Sequence, residues 1–382
     1  MALNVRKFSV PEIFFGRGSL KYAGLCAKRL GAEKIFLVSD AGLEKSGWVD
    51  KVFQFLEEEK LDCFYFSDVV ANPRDFQVQE GARLYREERC DVVMGLGGGS
   101  PMDAAKGIAL VASNGGTVHD YEGANRIQRP LPPMVFIPST GGSGSDVSQF
   151  TIVNDVSRRV KMSIISRTLV PNISIIDPTL LTTKSRSLII AAAIDAMAHA
   201  VESYVSLLAS PFTEIHSLKA IELIMTHLPV AAETRAIDAL ENLCIASTSA
   251  GMAFSNASLG MDHALAHSLG GMLDAVHGLI HPVLLPHVMR YNLPACREKI
   301  AKIGEIVLGR RLGSDDETAL AGIEKMAEYF EDLHISTRLR DIVPDPSTLP
   351  RLCRMASHDS CLLTNPRTAG WEDMLQLCKE AW

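Results

Sequence analysis

The hydrophobic pattern divides the chain into two halves. In the first, short apolar runs alternate with helical repeats. KIFLVSD at 34–40, DCFYFSD at 62–68, CDVVMGL at 90–96, PMVFIPS at 133–139 and NISIIDP at 172–178 read as strands. The most apolar of them have the form of strands that a parallel sheet buries on both faces. Between the second and third runs, Val78, Ala82 and Tyr85 mark one face of a helix, which gives βαβ alternation. QFTIVND and RVKMSIIS alternate about Asp155, Ser157 and Arg158 in the manner of a hairpin. After about residue 185 the pattern turns to long amphipathic, alanine-rich stretches that predict helices. The boundary falls between Pro178 and Ser187, so an α/β unit is expected over residues 1–182 and an all-helical unit over 183–382. The length agrees, because 382 residues exceed the size at which one core usually stops growing.

Composition narrows the class. Hydrophobic residues make up 47% and charged ones 22%, enough to build ordinary globular cores. A formal charge of −7, with no basic run or basic–aromatic stripe, argues against a nucleic-acid or anionic-membrane partner. No apolar run is seen to reach the roughly 18 residues of a spanning helix, and no leader pattern opens the chain, so a cytoplasmic protein is expected. The eight cysteines are scattered without a CxxC pair, which predicts free thiols.

The α/β half carries two glycine clusters, each after a strand. The first is Gly97, Gly98, Gly99 and Ser100, followed by Pro101 and Asp103; Ser100 reads as a helix N-cap with Pro101 at the first helical position. Glycines let backbone N–H groups approach a ligand, and a helix N-terminus favours an anion such as a pyrophosphate. The spacing is not GxGxxG, so the mechanism is retained without the standard motif. The second cluster runs Thr140, Gly141, Gly142, Ser143, Gly144, Ser145, Asp146, with hydroxyls suited to ribose, phosphate or carboxamide. Asp40, at the end of the first strand, has two readings. It accepts hydrogen bonds from ribose hydroxyls, favouring NAD over NADP, or it caps a helix starting near Leu43.

The helical half carries the other chemistry. Asp195 and His199 are four apart, as are His263 and His267, so each pair projects from one helical face. Gly270 and Gly271 are expected to interrupt the second helix, and His277 and His281 follow. Several imidazoles with one carboxylate suit a borderline divalent ion such as Fe(II), Zn(II), Co(II) or Ni(II) better than Mg or Ca. Four protein ligands normally close a zinc site, so a working ion must expand its coordination or use only some of these groups. The cleft between the halves is the expected site, where a Lewis acid beside a nicotinamide would stabilise an alkoxide that gives up hydride.

With these residues in view, the chain resembles the iron-containing (group III) alcohol dehydrogenase family over essentially its whole length. The resemblance rests on GGGSPMDAAK at 97–106, IPSTGGSGSDVSQFTIVND at 137–155, DPTLL at 177–181, AIDAMAHAVESYVS at 193–206, HALAHSLGG at 263–271, HG at 277–278 and TNPR at 364–367. It implies a Rossmann-like NAD-binding domain followed by a helical metal-binding domain, a plan shared with dehydroquinate synthase. It implies Asp195, His199, His263 and His277 as metal ligands and His267 as a catalytic residue beside them. For NAD it implies Asp40, Gly97, Gly98, Gly99, Ser100, Asp103, Thr140, Ser143 and Ser145, with Lys161 near the ribose. The family's TAGTGSE turn reads TGGSGSD here, and Ala193 stands where glycine is common. His281 is less typical of the family and is left without a role.

The expected activity is a metal- and NAD(H)-dependent interconversion of small primary alcohols or diols with aldehydes, the ion being Fe(II) or else Zn(II). Phe150, Phe254, Leu259 and Cys361 are the candidate substrate lining. The alternatives are another polyol or hydroxy-acid dehydrogenase, a dehydroquinate synthase-like lyase, and a non-enzymatic nucleotide- or metal-binding protein. A homodimer or higher homo-oligomer is expected.

Overall fold

In this computed structural model the described residues are 7–382. The described residues separate into two compact units, one of residues 9–185 with 235–244 and one of residues 7–8, 186–234 and 245–382.

The first unit is built on a parallel sheet. Its strands are β1 (Glu12–Phe15), β2 (Lys34–Val38), β3 (Asp62–Phe66), β4 (Val92–Gly97), β6 (Met134–Pro138) and β9 (Ile173–Ile176), in the order β1-β9-β6-β4-β2-β3. Between them run α1 (Ala23–Arg29), α2 (Ala41–Lys45), α3 (Trp48–Glu58), α4 (Asp75–Glu87) and α5 (Gly99–Asn114). β2, β4, β6 and β9 are deeply buried, with Phe36, Leu37, Val93, Met94, Phe136 and Ile175 inaccessible to solvent. Both faces of the sheet are covered, which explains their unbroken apolar runs. A second, three-stranded sheet has β8 (Val160–Ile165) between β5 (Gly123–Ala124) and β7 (Phe150–Asp155), with β7 and β8 forming the antiparallel hairpin. β1 and β5 were not anticipated from sequence; they are short edge strands with partly exposed residues.

Chain order sets the place of a ligand in this unit. From β2 the chain steps to β3 on one side and returns through β4 on the other. That reversal is the switch point at which open α/β sheets receive ligands, outside the carboxyl ends of the strands. Asp40 follows β2, and Gly97 ends β4 with Gly98 and Gly99 next, so both stand at that edge.

The second unit is helical: α6 (Arg186–Val205), α7 (Pro211–Thr234), the later turns of α8 (Ile237–Ala257), α9 (Met261–Leu273), α10 (His281–Leu308), α11 (Asp315–Asp332), α12 (Leu349–Ala356) and α13 (Trp371–Ala381). The expectation about spanning segments needs correcting at α6. Its 20 residues are long and apolar enough in composition to cross a membrane. The helix is nonetheless buried from Ile189 to Val205, and Asp195, His199 and Glu202 lie on it. A helix apolar all round is what the core of a large unit requires.

Candidate functional site

In the helical unit the side chains of α6, α9, the 3-10 turn His277–Leu279 and the start of α10 meet around one carboxylate oxygen. The Nε2 atoms of His199, His263, His277 and His281 lie 3.8, 3.8, 3.7 and 3.2 Å from Asp195 Oδ1. Asp195, His263, His277 and His281 offer donor atoms that all lie within 4.8 Å of one another. The rings pack closely: His199 and His263 are stacked with centroids 4.5 Å apart, and His281 is 4.6 Å from His263 and 4.8 Å from His277. Asp195, His199, His263 and His281 are buried and His277 is half-buried.

Local sequence explains the meeting. The four-residue spacing puts Asp195 and His199 on one face of α6. Gly278 presses against the same helix: a Cβ there would lie 2.1 Å from the Ala191 carbonyl oxygen. No side chain larger than hydrogen fits, and the absence of one lets His277 stand beside Asp195. α9 begins without a side-chain cap of its own at Gly260. Residues far along the chain cap it instead. Met261 N–H donates to Asn365 Oδ1 at 3.1 Å, Asp262 N–H to Glu202 Oε1 at 2.7 Å and His263 N–H to Glu202 Oε2 at 3.3 Å. Gly260 is needed here because a Cβ would come within 2.8 Å of both capping side chains.

Glu202 does a second thing. Its Oε2 lies 2.7 Å from His263 Nδ1, which assigns the proton to Nδ1 and turns the bare Nε2 toward Asp195. Asp262 acts in the same way on His281, with Oδ2 at 2.5 Å from Nδ1, and Asp359 on His267, with Oδ2 at 2.8 Å from Nδ1. The sequence reading missed Glu202, Asp262, Asp359 and Asn365. Glu202 carried a signal, being seven residues from Asp195 on the same face of α6.

Electrostatics follow from burial among these groups. Burial opposes the charge on Asp195, but the imidazoles around it, His199 first, hold its carboxyl well below the usual range. Burial pushes His199 down to about 3. For His281, burial is outweighed by the Asp262 and Asp195 carboxylates, which raise it to about 10. Asp195 Oδ1, His263 Nε2 and His281 Nε2 are buried without a hydrogen-bond partner. Leaving such atoms unsatisfied is costly unless something binds them. Imidazole nitrogens and a carboxylate oxygen at these separations fit a borderline divalent cation.

Other candidates fall around or away from this cluster. His267 stacks on His277 with centroids 5.6 Å apart. Phe254 stacks on His199 at 4.3 Å. Cys361 N–H donates to Asp359 Oδ1 at 2.8 Å, and burial raises the thiol well above its ordinary value. Leu259 is buried and its carbonyl accepts from Thr364 Oγ1 at 2.6 Å. Phe150 lies in the other unit, on β7, where its carbonyl accepts from Lys106 Nζ at 2.8 Å.

In the sheet unit the two glycine clusters pack against each other. A Cβ on Gly98 would be 2.8 Å from Thr140 Cγ2, and one on Gly99 would be 3.1 Å from Ser143 Cβ. Gly97 has φ +150°, a conformation that side chains disfavour, and a Cβ there would be 2.7 Å from Pro101. The N-cap of α5 is Gly98, not Ser100, and no side chain caps this end. Ser100 is the second helical residue, and its Oγ accepts from Asn72 N–H at 3.2 Å. Asp103, pushed up to about 6 by burial, accepts from Ser145 Oγ at 2.6 Å, and Lys161 is among the charges acting on it. Asp40 Oδ1 caps α2 through Gly42 and Leu43 N–H, while Oδ2 faces Gly97, 3.4 Å from where its Cβ would be.

Comparison with known proteins agrees across both units. A family model described as iron-containing alcohol dehydrogenase matches residues 11–178, and one for the C-terminal part of the same family matches 189–382. The chain is 38% identical to 1,3-propanediol dehydrogenase of Citrobacter freundii, covering 100% of both chains. It is 36% identical to NAD-dependent methanol dehydrogenase of Bacillus methanolicus, covering 98% of this chain and 99% of that one. A crystal structure of a 1,3-propanediol oxidoreductase superposes with a TM-score of 0.96 at 36% identity, covering 99% of this chain and 100% of that one.

Proposed function

The chain belongs to the iron-containing alcohol dehydrogenase family, and from that membership we propose that it interconverts small primary alcohols or diols with their aldehydes, using NAD(H) and Fe(II). The observation that carries the proposal is the convergence of four imidazole nitrogens, 3.2–3.8 Å from one buried carboxylate oxygen, in a helical unit whose sequence family handles alcohols.

Asp195, His199, His263 and His277 are the residues assigned to hold the ion. Bound there, a divalent cation supplies Lewis acidity that lowers the pKa of an alcohol oxygen and polarises an aldehyde carbonyl. Glu202 keeps His263 in the tautomer whose Nε2 can donate electrons. His267, oriented through Nδ1 by Asp359, presents Nε2 for exchange of the alcohol proton. In this reading Phe254, which stacks on His199, lines the substrate site with Leu259 and Cys361.

NAD is assigned to the switch-point edge of the sheet unit, where it supplies the hydride acceptor. The uncapped end of α5 and the flanking glycines Gly97, Gly98 and Gly99 take the pyrophosphate. Ser100, Asp103, Thr140, Ser143, Ser145 and Lys161 supply polar contacts, and Asp40 Oδ2 accepts from the ribose while Oδ1 keeps its capping role. Residues 1–182 are read as the NAD-binding domain and 183–382 as the metal-binding domain. The eight free thiols suit the reducing cytoplasm. The exposed Leu207, Phe212 and Ile215 support a homo-oligomer.

The test is direct. Metal-free protein is reloaded anaerobically with Fe(II) or Zn(II), and NADH absorbance is followed with butanol or 1,3-propanediol. Turnover restored by metal is expected, Fe(II) exceeding Zn(II). No turnover with any metal over a broad alcohol panel overturns the proposal.

A further inference from the structure

His281 is the imidazole that the assigned ligand set leaves out, yet its geometry is that of a ligand. It is the first residue of α10 and is fully buried. A buried histidine with a purely structural role has both ring nitrogens engaged. His281 has only Nδ1 engaged, by Asp262, which is itself fully buried. Nε2 points into the cluster, 3.2 Å from Asp195 Oδ1 and closer to that oxygen than the Nε2 of His199, His263 or His277. That separation is within hydrogen-bonding reach, yet neither atom has a hydrogen-bond partner.

The Asp262–His281 pair also repeats the Glu202–His263 pair. In each, a buried carboxylate fixes the tautomer through Nδ1 and aims Nε2 at Asp195. That carboxylate–histidine arrangement is the usual support of a metal-ligating imidazole. Donor atoms about 2.0–2.2 Å from a shared ion stand roughly 3–3.6 Å from one another, and the His281–Asp195 separation falls within that range.

We propose that His281 Nε2 is a ligand of the same ion, joining Asp195, His199, His263 and His277. The inference rests on the metal reading above. It makes the centre richer in nitrogen by one donor. Five protein donors exceed a tetrahedral zinc site, so an ion that also takes up an alcohol oxygen must be six-coordinate, which favours Fe(II) or Co(II) over Zn(II).

Titration of the metal-free full chain with Co(II), followed by visible absorption, tests this without reference to turnover. For His281→Ala the Co(II) affinity is expected to fall by at least 10-fold, the band is expected to change in shape and intensity, and added imidazole is expected to restore both by entering the space left by the ring. The same affinity and band in His281→Ala as in wild type overturn the inference. Should that variant not fold, a crystal structure of the Co(II)-loaded wild type decides: an ion about 2.0–2.2 Å from His281 Nε2 supports the assignment, and one beyond about 3 Å overturns it. A wild type that takes up no Co(II) sinks the metal reading itself, whereas a normal wild-type spectrum left unaltered by His281→Ala sinks only the role of His281.

Discussion

The chemistry proposed for the two units is presented by opposite means. In the sheet unit it lies in the backbone. The turn after β4 needs glycine because Gly98 abuts Thr140 and Gly99 abuts Ser143, and the start of α5 bears no side-chain cap. In the helical unit it lies in side chains, where buried carboxylates orient imidazoles around Asp195 and glycines serve only to let those elements approach. A backbone site is lost by adding atoms and a side-chain site by removing them. Substitutions can therefore separate the two.

The largest effect is expected in the helical unit. His263→Ala removes a proposed ligand held by Glu202, so metal affinity should fall by more than the roughly 10–100-fold typical of an outer partner, and turnover should vanish with it. NAD binding should persist. His267→Ala should keep the metal, measured by elemental analysis, and lose about 10²–10⁴-fold in rate, as for a proton-handling group. Loss of metal in His267→Ala would break the division of labour between the two residues.

The converse change is Gly98→Ala. The added methyl meets Thr140 Cγ2 at 2.8 Å, and overpacking of this kind costs roughly 1–3 kcal/mol. NAD affinity, measured by calorimetry or fluorescence, should weaken by about 10-fold while metal content stays unchanged. Unchanged NAD affinity would show that the turn after β4 is only a packing device.

The same contrast governs what the sequence makes legible. Helical periodicity carries the pairs Asp195/His199 and His263/His267, because residues four apart share a face whatever surrounds them. It does not carry the residues that orient them. Asp359 reaches His267 from 92 positions away, and Asn365 caps α9 from 104. Sequence alone leaves His281 without a role, because it is less typical of the family and only one helical turn separates it from His277. In the sheet unit the buried strands were legible as unbroken apolar runs, whereas β1, with two exposed and two half-buried residues at an edge, left no such run. Its hydroxyl favours Ser100 for the N-cap, but the extended backbone of Gly98, φ −85° and ψ −162°, takes that place.

The smallest effect sharpens the comparison from outside either site. In the sheet unit, Asp155 at the end of β7 is opposed by burial, yet Ser157 Oγ at 2.7 Å, Arg158 N–H at 2.9 Å and the Arg158 guanidinium hold its carboxyl far below the ordinary value of 3.8. A depressed folded-state pKa adds stability that is fully present above the unfolded value and disappears as pH falls through the folded one. Asp155→Asn should therefore lower the melting temperature of the sheet unit by about 1–2 °C at pH 6, and the gap to wild type should narrow steadily below about pH 4. Metal content and Co(II) affinity should not change at pH 6, because Asp155 belongs to the sheet unit and the cluster to the helical one. A gap that widens toward low pH would refute the assigned sign, and a parallel loss of metal would show that the two units do not answer to substitution separately.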